Sequence, residues 1–334
     1  MKKSIIVFVS IFLSILLIAT GCSSQQQSSG ETAKDSPSKE KKAAETYPEK
    51  PIEIIVPFAP GGGTDAVGRA LAESFKKTLN QDVVVVNKTG GSGAVGMQEG
   101  LSAQPDGYKL TVVTREVTSL PILKLAPFQT LDFKFVGSVN KDPGVLVVKG
   151  DSKYKTLEDF LAALKDSKGK MKFAASAVPN YYGIQLAKES KSDFITIPFQ
   201  GAAPAIIEIL GGRVDFGLYN PGEIKAQLES GELRALAVMS DERFSGLKDV
   251  PTFKEKGLDI VSETYRGIAV PKNTPENVVK VLEDAIAKAK EDSAFTGFME
   301  KSFLGQEYLD SKGFTALVEK DMKLLGPLLE NIKK

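Results

Sequence analysis

An α/β fold built on parallel sheet is predicted by three observations. Short β-branched runs alternate with helical apolar spacing from Pro51 to Met239. Glycine-rich loops join strand to helix at Pro60–Asp65 and Thr89–Gly96. Cap signals, Thr156-Leu157-Glu158-Asp159 and Asn220-Pro221, mark where helices open.

Pro51–Arg69, PIEIIVPFAPGGGTDAVGR, reads as strand, open loop and helix. Ile52, Ile54, Ile55 and Val56 suit a buried strand, whereas Val67, Leu71, Ser74, Phe75 and Thr78 share one side of a helix of about four turns. The loop therefore meets a helix N-terminus. There the first N–H groups lack intrahelical partners, the macrodipole is positive, and Gly61, Gly62 and Gly63 carry no side chain. From these residues alone two readings stay open: an anion site, or a tight turn in which Thr64 caps the helix. Arg69, four residues after Asp65, is placed to pair with it for a few tenths of a kcal/mol.

Asp82–Asn87 is the next buried strand, and Gly91, Gly93 and Gly96 after it satisfy G-x-G-x-x-G. A short helix Ala94–Ala103, a Pro105-Asp106-Gly107 turn, a strand Tyr108–Thr114 and Glu116 follow, as a dinucleotide site would require. The competing reading is that these glycines let a helix pack closely on its sheet. Strands are expected at Phe133–Val139 and Val145–Val148, between prolines. A helix follows from Thr156, with Leu157, Phe160, Leu161 and Leu164 as its apolar side. Strand Met171–Ser176, a loop to Gly183 and a short helix repeat the layout of the opening stretch. Strand Asp193–Phe199, helix Pro204–Leu210, strand Arg213–Leu218, a helix from Pro221 and strand Leu233–Met239 continue the alternation. From Pro275 the chain is mostly helix, broken by a short strand Glu307–Leu309.

The N-terminus bears on compartment. Lys2 and Lys3 precede an apolar run Ile5–Ala19 that ends at Ala19-Thr20-Gly21-Cys22, which resembles a bacterial lipoprotein signal, with Ala19 where Leu is usual. Cys22, the single cysteine, is then a lipidation site rather than half of a disulfide. Residues 1–21 are expected to be the signal peptide and 22–46, rich in Gln, Ser, Lys, Glu and Ala, a disordered tether. Removal of Lys2 and Lys3 takes two of the 43 basic residues, leaving 41 against 42 acidic ones, so nucleic acid is not an expected partner. The chain has no His, which removes Ser-His-Asp and Cys-His chemistry and the usual histidine zinc sites. Neither an enzyme nor a cofactor or metal is expected.

An ordered series of segments resembles the substrate-binding proteins of tripartite tricarboxylate transporters, the Bug family. It comprises Val56–Asp65 with Arg69, Val86-Asn87-Lys88, Gly90–Gly96, Pro105–Tyr108, Phe199–Pro204, Leu210–Asp215, Leu233–Val238, Pro251-Thr252 and Ala269–Pro275. The resemblance implies a two-lobed, periplasmic-binding-protein-like (Venus flytrap, type II) α/β fold whose chain crosses between lobes twice. Residues 47–143 and 267–334 would form the first lobe and 144–266 the second, with hinges near Asp142–Val148 and Thr264–Val270. It implies that a small carboxylate is held between a loop matching Phe58, Ala59, Gly61, Gly62, Gly63, Thr64 and Asp65 and one at Ser176, Ala177, Asn180 and Tyr181, with Gly201 and Ala202 alongside.

Asp65 is expected at the pocket, orienting a water. Tyr181 is favoured over Tyr182 as a ligand neighbour, Asp215 is read as structural, and Arg115 and Arg266 are candidates for a second ligand carboxylate. The second loop is poorer in Ser and Gly than is usual in the family, and Arg115–Ser119 also departs from its commoner sequence. The implied function is delivery of a di- or tricarboxylate, or a related acid, to transporter membrane subunits by a monomeric lipoprotein. The alternatives are a sensory lipoprotein of the same fold and an exported dinucleotide-binding enzyme.

Overall fold

Strand β1 (Ile52–Val56) runs between β2 (Val83–Asn87) and β3 (Lys109–Val113), parallel to both, and its Ile and Val side chains bury on the two faces. The structure, a computed structural model, describes residues 47–199 and 201–330. The expected signal peptide, the tether and Cys22 lie outside the described residues, as does Gln200.

The first sheet is completed by β4 (Phe133–Pro143), β10 (Glu263–Pro271) and β11 (Gln306–Leu309), in the order β11-β4-β10-β3-β1-β2. The second holds β5 (Val145–Lys149), β6 (Lys172–Ala175), β7 (Ile195–Pro198), β8 (Phe216–Tyr219) and β9 (Leu233–Val238), in the order β7-β6-β8-β5-β9. The parallel sheet that the alternation implies is present in β1, β2 and β3 and in β6, β7 and β8, and each sheet is mixed. β10 runs antiparallel to β3 and β4, and β5 antiparallel to β8 and β9. The reason lies in the path of the chain: β4 leaves the first sheet and β10 returns to it, so the two run in opposite directions side by side.

Each sheet carries helices on both faces, and the strand alternation assigns side chains to them. Leu110, Val112, Ile268 and Val270 face helices α1 (Gly63–Leu79) and α8 (Glu276–Glu291), meeting Leu71, Phe75, Leu282 and Ile286. Val113 and Ala269 face the other way, toward Met97 of α2 (Ala94–Leu101), Val117 of α3 (Glu116–Ile122) and Phe314 of α10 (Ser311–Glu330). In the second sheet Leu146 and Val148 pack on α4 (Leu157–Asp166), while Val145 and Val147 pack on α6 (Ala202–Leu210). Helices α5 (Tyr181–Ser190), α7 (Pro221–Glu229) and α9 (Ser293–Lys301) complete the set.

The expected caps form. Thr156 Oγ1 accepts from Asp159 N at 3.1 Å while Asp159 Oδ2 accepts from Thr156 N at 3.0 Å, and Asn220 with Pro221 opens α7.

Two elements are not announced by the sequence pattern. Helix α3 contains Pro121, which normally argues against helix. The carbonyl that this proline leaves without a donor, that of Val117, instead accepts from Thr130 Oγ1 at 3.0 Å. Strand β10 carries Arg266 and Gly267 in its middle and lacks a clean apolar run. The segment 264–270 where the second hinge is expected lies within β10, as does residue 267, where the chain is expected to re-enter the first lobe. The connecting backbones meet just upstream: Gly144 N donates to Ser262 O (3.0 Å), Met239 N to Gly144 O (2.7 Å) and Ser262 N to Met239 O (2.9 Å). Among the described residues no helix is long and apolar enough to cross a membrane.

Candidate functional site

Parallel strands aim the helices that follow them in one direction, so helix N-termini gather at the strands' carboxyl ends. In the first sheet α1, α2 and α3 begin beyond β1, β2 and β3, and in the second α5, α6 and α7 begin beyond β6, β7 and β8. Leu304 joins these two edges. A Cβ built on Gly63 would lie 3.7 Å from Leu304 Cδ2, and one built on Gly222, in the first turn of α7, would lie 3.2 Å from the same atom. The glycine loop of one sheet thus looks across a single leucine side chain at a helix start of the other.

The loop Phe58–Asp65 is tied from below. Asp65 Oδ2 accepts from Gly61 N (2.9 Å) and Arg69 Nε (3.0 Å), and Oδ1 accepts from Asn87 Nδ2 (2.8 Å), which also donates to Phe58 O (3.0 Å). Burial alone would raise the Asp65 carboxyl, but the bonds from Arg69, Gly61 and Asn87 hold it below its usual range. In the structure, then, Asp65 folds the loop, and it occupies the Gly61 amide that was expected to be open to an anion. The amides at Gly63 and Thr64, in the first turn of α1, keep the unpaired character of a helix start, because Gly62, the N-cap residue, has no side chain to cap them. Asn87 is the residue the sequence reading missed. It stands in Val86-Asn87-Lys88, where an amide after an all-valine strand was the available signal.

Both candidate arginines are held by internal partners, an acid among them, Arg115 through all three of its nitrogens and Arg266 through Nε and Nη1, while Arg266 Nη2 lies beside Gly63. Arg266, 3 % exposed, donates from Nε to Thr64 Oγ1 at 3.0 Å and from Nη1 to Asn140 and to Asp142, itself fully buried. Arg115 grips Asp321 with Nε and Nη2, the latter at 2.8 Å, and Nη1 donates to Ser262 Oγ at 3.0 Å. Burial raises the Asp321 carboxyl despite this partner. Each of the two arginines expected to receive a second ligand carboxylate is thus paired with an internal acid, Arg266 with Asp142 and Arg115 with Asp321.

The second set of candidates gathers around β6. Ser176 O accepts from Gly201 N (3.0 Å), which brings the loop after β6 against the start of α6 at Ala202. Gly201 has φ of 107°, a conformation that other residues rarely adopt. Asn180 caps α5, its Oδ1 accepting from Gly183 N at 3.0 Å. Ala177 lies half-buried in the same loop. Tyr181 faces the other sheet's layer, 5.3 Å from the Arg115 guanidinium, whereas the Tyr182 hydroxyl donates to Asn220 Oδ1 at 2.7 Å. Asp215 accepts from Lys172 N at 2.7 Å, a structural bond.

The G-x-G-x-x-G glycines have packing tasks. A Cβ on Gly96 would lie 2.6 Å from Lys88 O and 2.8 Å from Pro57 Cα, and one on Gly93 would lie 3.1 Å from Phe58 Cζ. Titration with NAD or NADP is accordingly expected to give no saturable signal. Micromolar binding that disappears in Gly93→Val would reverse that assignment.

The sequence pattern described as tripartite tricarboxylate transporter family receptor matches residues 67–333. Protein BugT of Bordetella pertussis is 32 % identical over 262 residues, covering 75 % of this chain and 80 % of its own. Among solved structures, a TctC solute binding protein from Polaromonas is 35 % identical with a TM-score of 0.71, covering 86 % of this chain and 100 % of its own. The periplasmic binding protein BugD is 31 % identical with a TM-score of 0.77, covering 85 % of this chain and 98 % of its own.

Proposed function

Because the chain belongs to the tripartite tricarboxylate transporter receptor family, we propose that it captures a small carboxylate between its two lobes and delivers it, as a monomer, to transporter membrane subunits. The observation that carries this reading is the uncapped helix start at Gly62–Thr64, set across Leu304 from the start of α7. A carboxylate there would accept from backbone amides and meet the positive end of a helix dipole. Phe58, Ala59, Ser176, Ala177, Asn180, Tyr181, Gly201 and Ala202 would line the remainder. With Arg115 committed to Asp321, the anion contacts would be the amides of the first turn of α1 and Arg266 Nη2 beside Gly63. Native mass spectrometry of the purified protein tests this: a co-purifying organic acid is expected. The absence of both a retained acid and a thermal shift with every member of a panel of carboxylates would end the reading.

The proposal extends to anchoring. Cys22, preceded by Thr20 and Gly21 after an apolar run, would carry lipid outside the cytoplasm and leave 22–46 as a tether. Cys22→Ala is expected to abolish lipid labelling and cleavage at this site while the folded part keeps its melting temperature. Unchanged labelling would sink the anchor.

A further inference from the structure

Arg115 is bound on three sides, and the fourth is turned across the cleft. Its edge is held by Asp321 of α10, and its Nη1 by Ser262 Oγ and the Glu263 carbonyl. Ser262 is also the residue whose backbone bonds Gly144 and Met239 at the point where the chain passes between the sheets. The frame is buried: Arg115 is 7 % exposed, Asp321 6 % and Ser262 1 %. Tyr265 and Thr118 close it from below, their hydroxyls 3.1 Å apart. The ring of Tyr181, the first residue of α5 from the second sheet's layer, lies against the Arg115 guanidinium, its centroid 5.3 Å from Cζ. A planar cation fixed in orientation loses little freedom when a ring settles on it, which favours arginine over lysine in such a place.

We propose that Arg115 is a positioning residue of the binding cleft: its guanidinium, oriented by Asp321 and Ser262, is the seat on which Tyr181 rests when the two lobes close over the ligand. This deepens the transport reading and rests on it. The contact with Ser262 ties the seat to the connecting segment, so a change in lobe angle that moves Ser262 also tilts the surface that receives Tyr181. Tyr181 in turn begins the helix that Asn180 caps, so seating it sets where the loop Ser176–Asn180 stands relative to the glycine loop.

Hydrogen exchange of the full-length protein in detergent, read by mass spectrometry with and without citrate, tests the seat from both sides. Tyr181→Leu is expected to speed exchange about tenfold in 115–122, on the far side of the cleft, the scale of one desolvated cation–π contact. Arg115→Lys, which keeps the charge beside Asp321, is expected to do the same to 176–183. Tyr181→Phe keeps the ring and should exchange as the wild type does. If each variant perturbs only its own side, or if Tyr181→Phe behaves as Tyr181→Leu, the seat is wrong and the hydroxyl or local packing holds the tyrosine. Coupling across the cleft in a protein that binds no carboxylate would instead overturn the transport reading and leave the seat standing.

Discussion

Replacing Arg266 by Met lowers stability by about 3–5 kcal/mol, the range for stranding one partner of a buried ion pair. The partner is Asp142, fully buried, which also accepts from Gly305 N at 2.6 Å and Asn140 Nδ2 at 3.0 Å. Without the guanidinium that carboxylate has no cation, and Thr64 Oγ1 and Asn140 Oδ1 lose a donor. The melting temperature should fall by roughly 2–4 °C for each kcal/mol lost. Arg266→Met combined with Asp142→Asn removes the stranded charge and should recover a large part of the loss. Urea denaturation of the single and double variants measures both values. A single-variant loss under about 1 kcal/mol would mean that Asp142 is not held as an ion by Arg266. Arg69→Gln gives the contrast. Arg69 also pairs with an aspartate, but it is exposed and sits one helical turn away, so its loss should cost only a few tenths of a kcal/mol.

That contrast also separates what was legible in the sequence from what was not. The Asp65–Arg69 pair could be read because helix geometry fixes neighbours at a spacing of four. The same holds for the Thr156–Asp159 capping box and for Asn220 before Pro221, where the cap chemistry is complete within a few residues. Arg266 and Asp142 lie 124 residues apart, and only the pairing of β4 with β10 brings them together. Arg115 and Asp321 are separated by 206 residues and meet through the packing of α10. No local pattern records such a meeting, so each arginine read from sequence as a free cation. The strand β10 escaped for a related cause. Buried polar residues inside a sheet break the apolar run that identifies a strand, and here Arg266 is the very residue that the sheet positions. Asn87 was present in a recognisable segment, but its task, tying Phe58 O to Asp65, depends on the loop folding back over the end of β2.

The glycine loop is where the largest effect on binding is expected, and the structure distinguishes its three glycines. Gly61 alone has positive φ, 82°, and its amide is taken by Asp65. Gly62 has an ordinary φ of −81°, and a Cβ built there would meet only Ala59 O, at 3.6 Å. Gly63 has no such room: its Cβ would come within 2.9 Å of Arg266 Nη2. Gly62→Val should therefore fold nearly normally, at a cost on the order of 1 kcal/mol for a poorer cap residue, while placing a branched side chain at the mouth of the amide site. Gly63→Val should lose binding and stability together, because it pushes on the arginine that Asp142 needs. The readout is thermal shift. At one hundred times the dissociation constant a ligand stabilises the wild type by about 2.7 kcal/mol, and that increment should vanish in Gly62→Val and persist in Arg69→Gln. Should Gly62→Val keep the full shift, the carboxylate does not approach the first turn of α1, and the site lies elsewhere in the cleft.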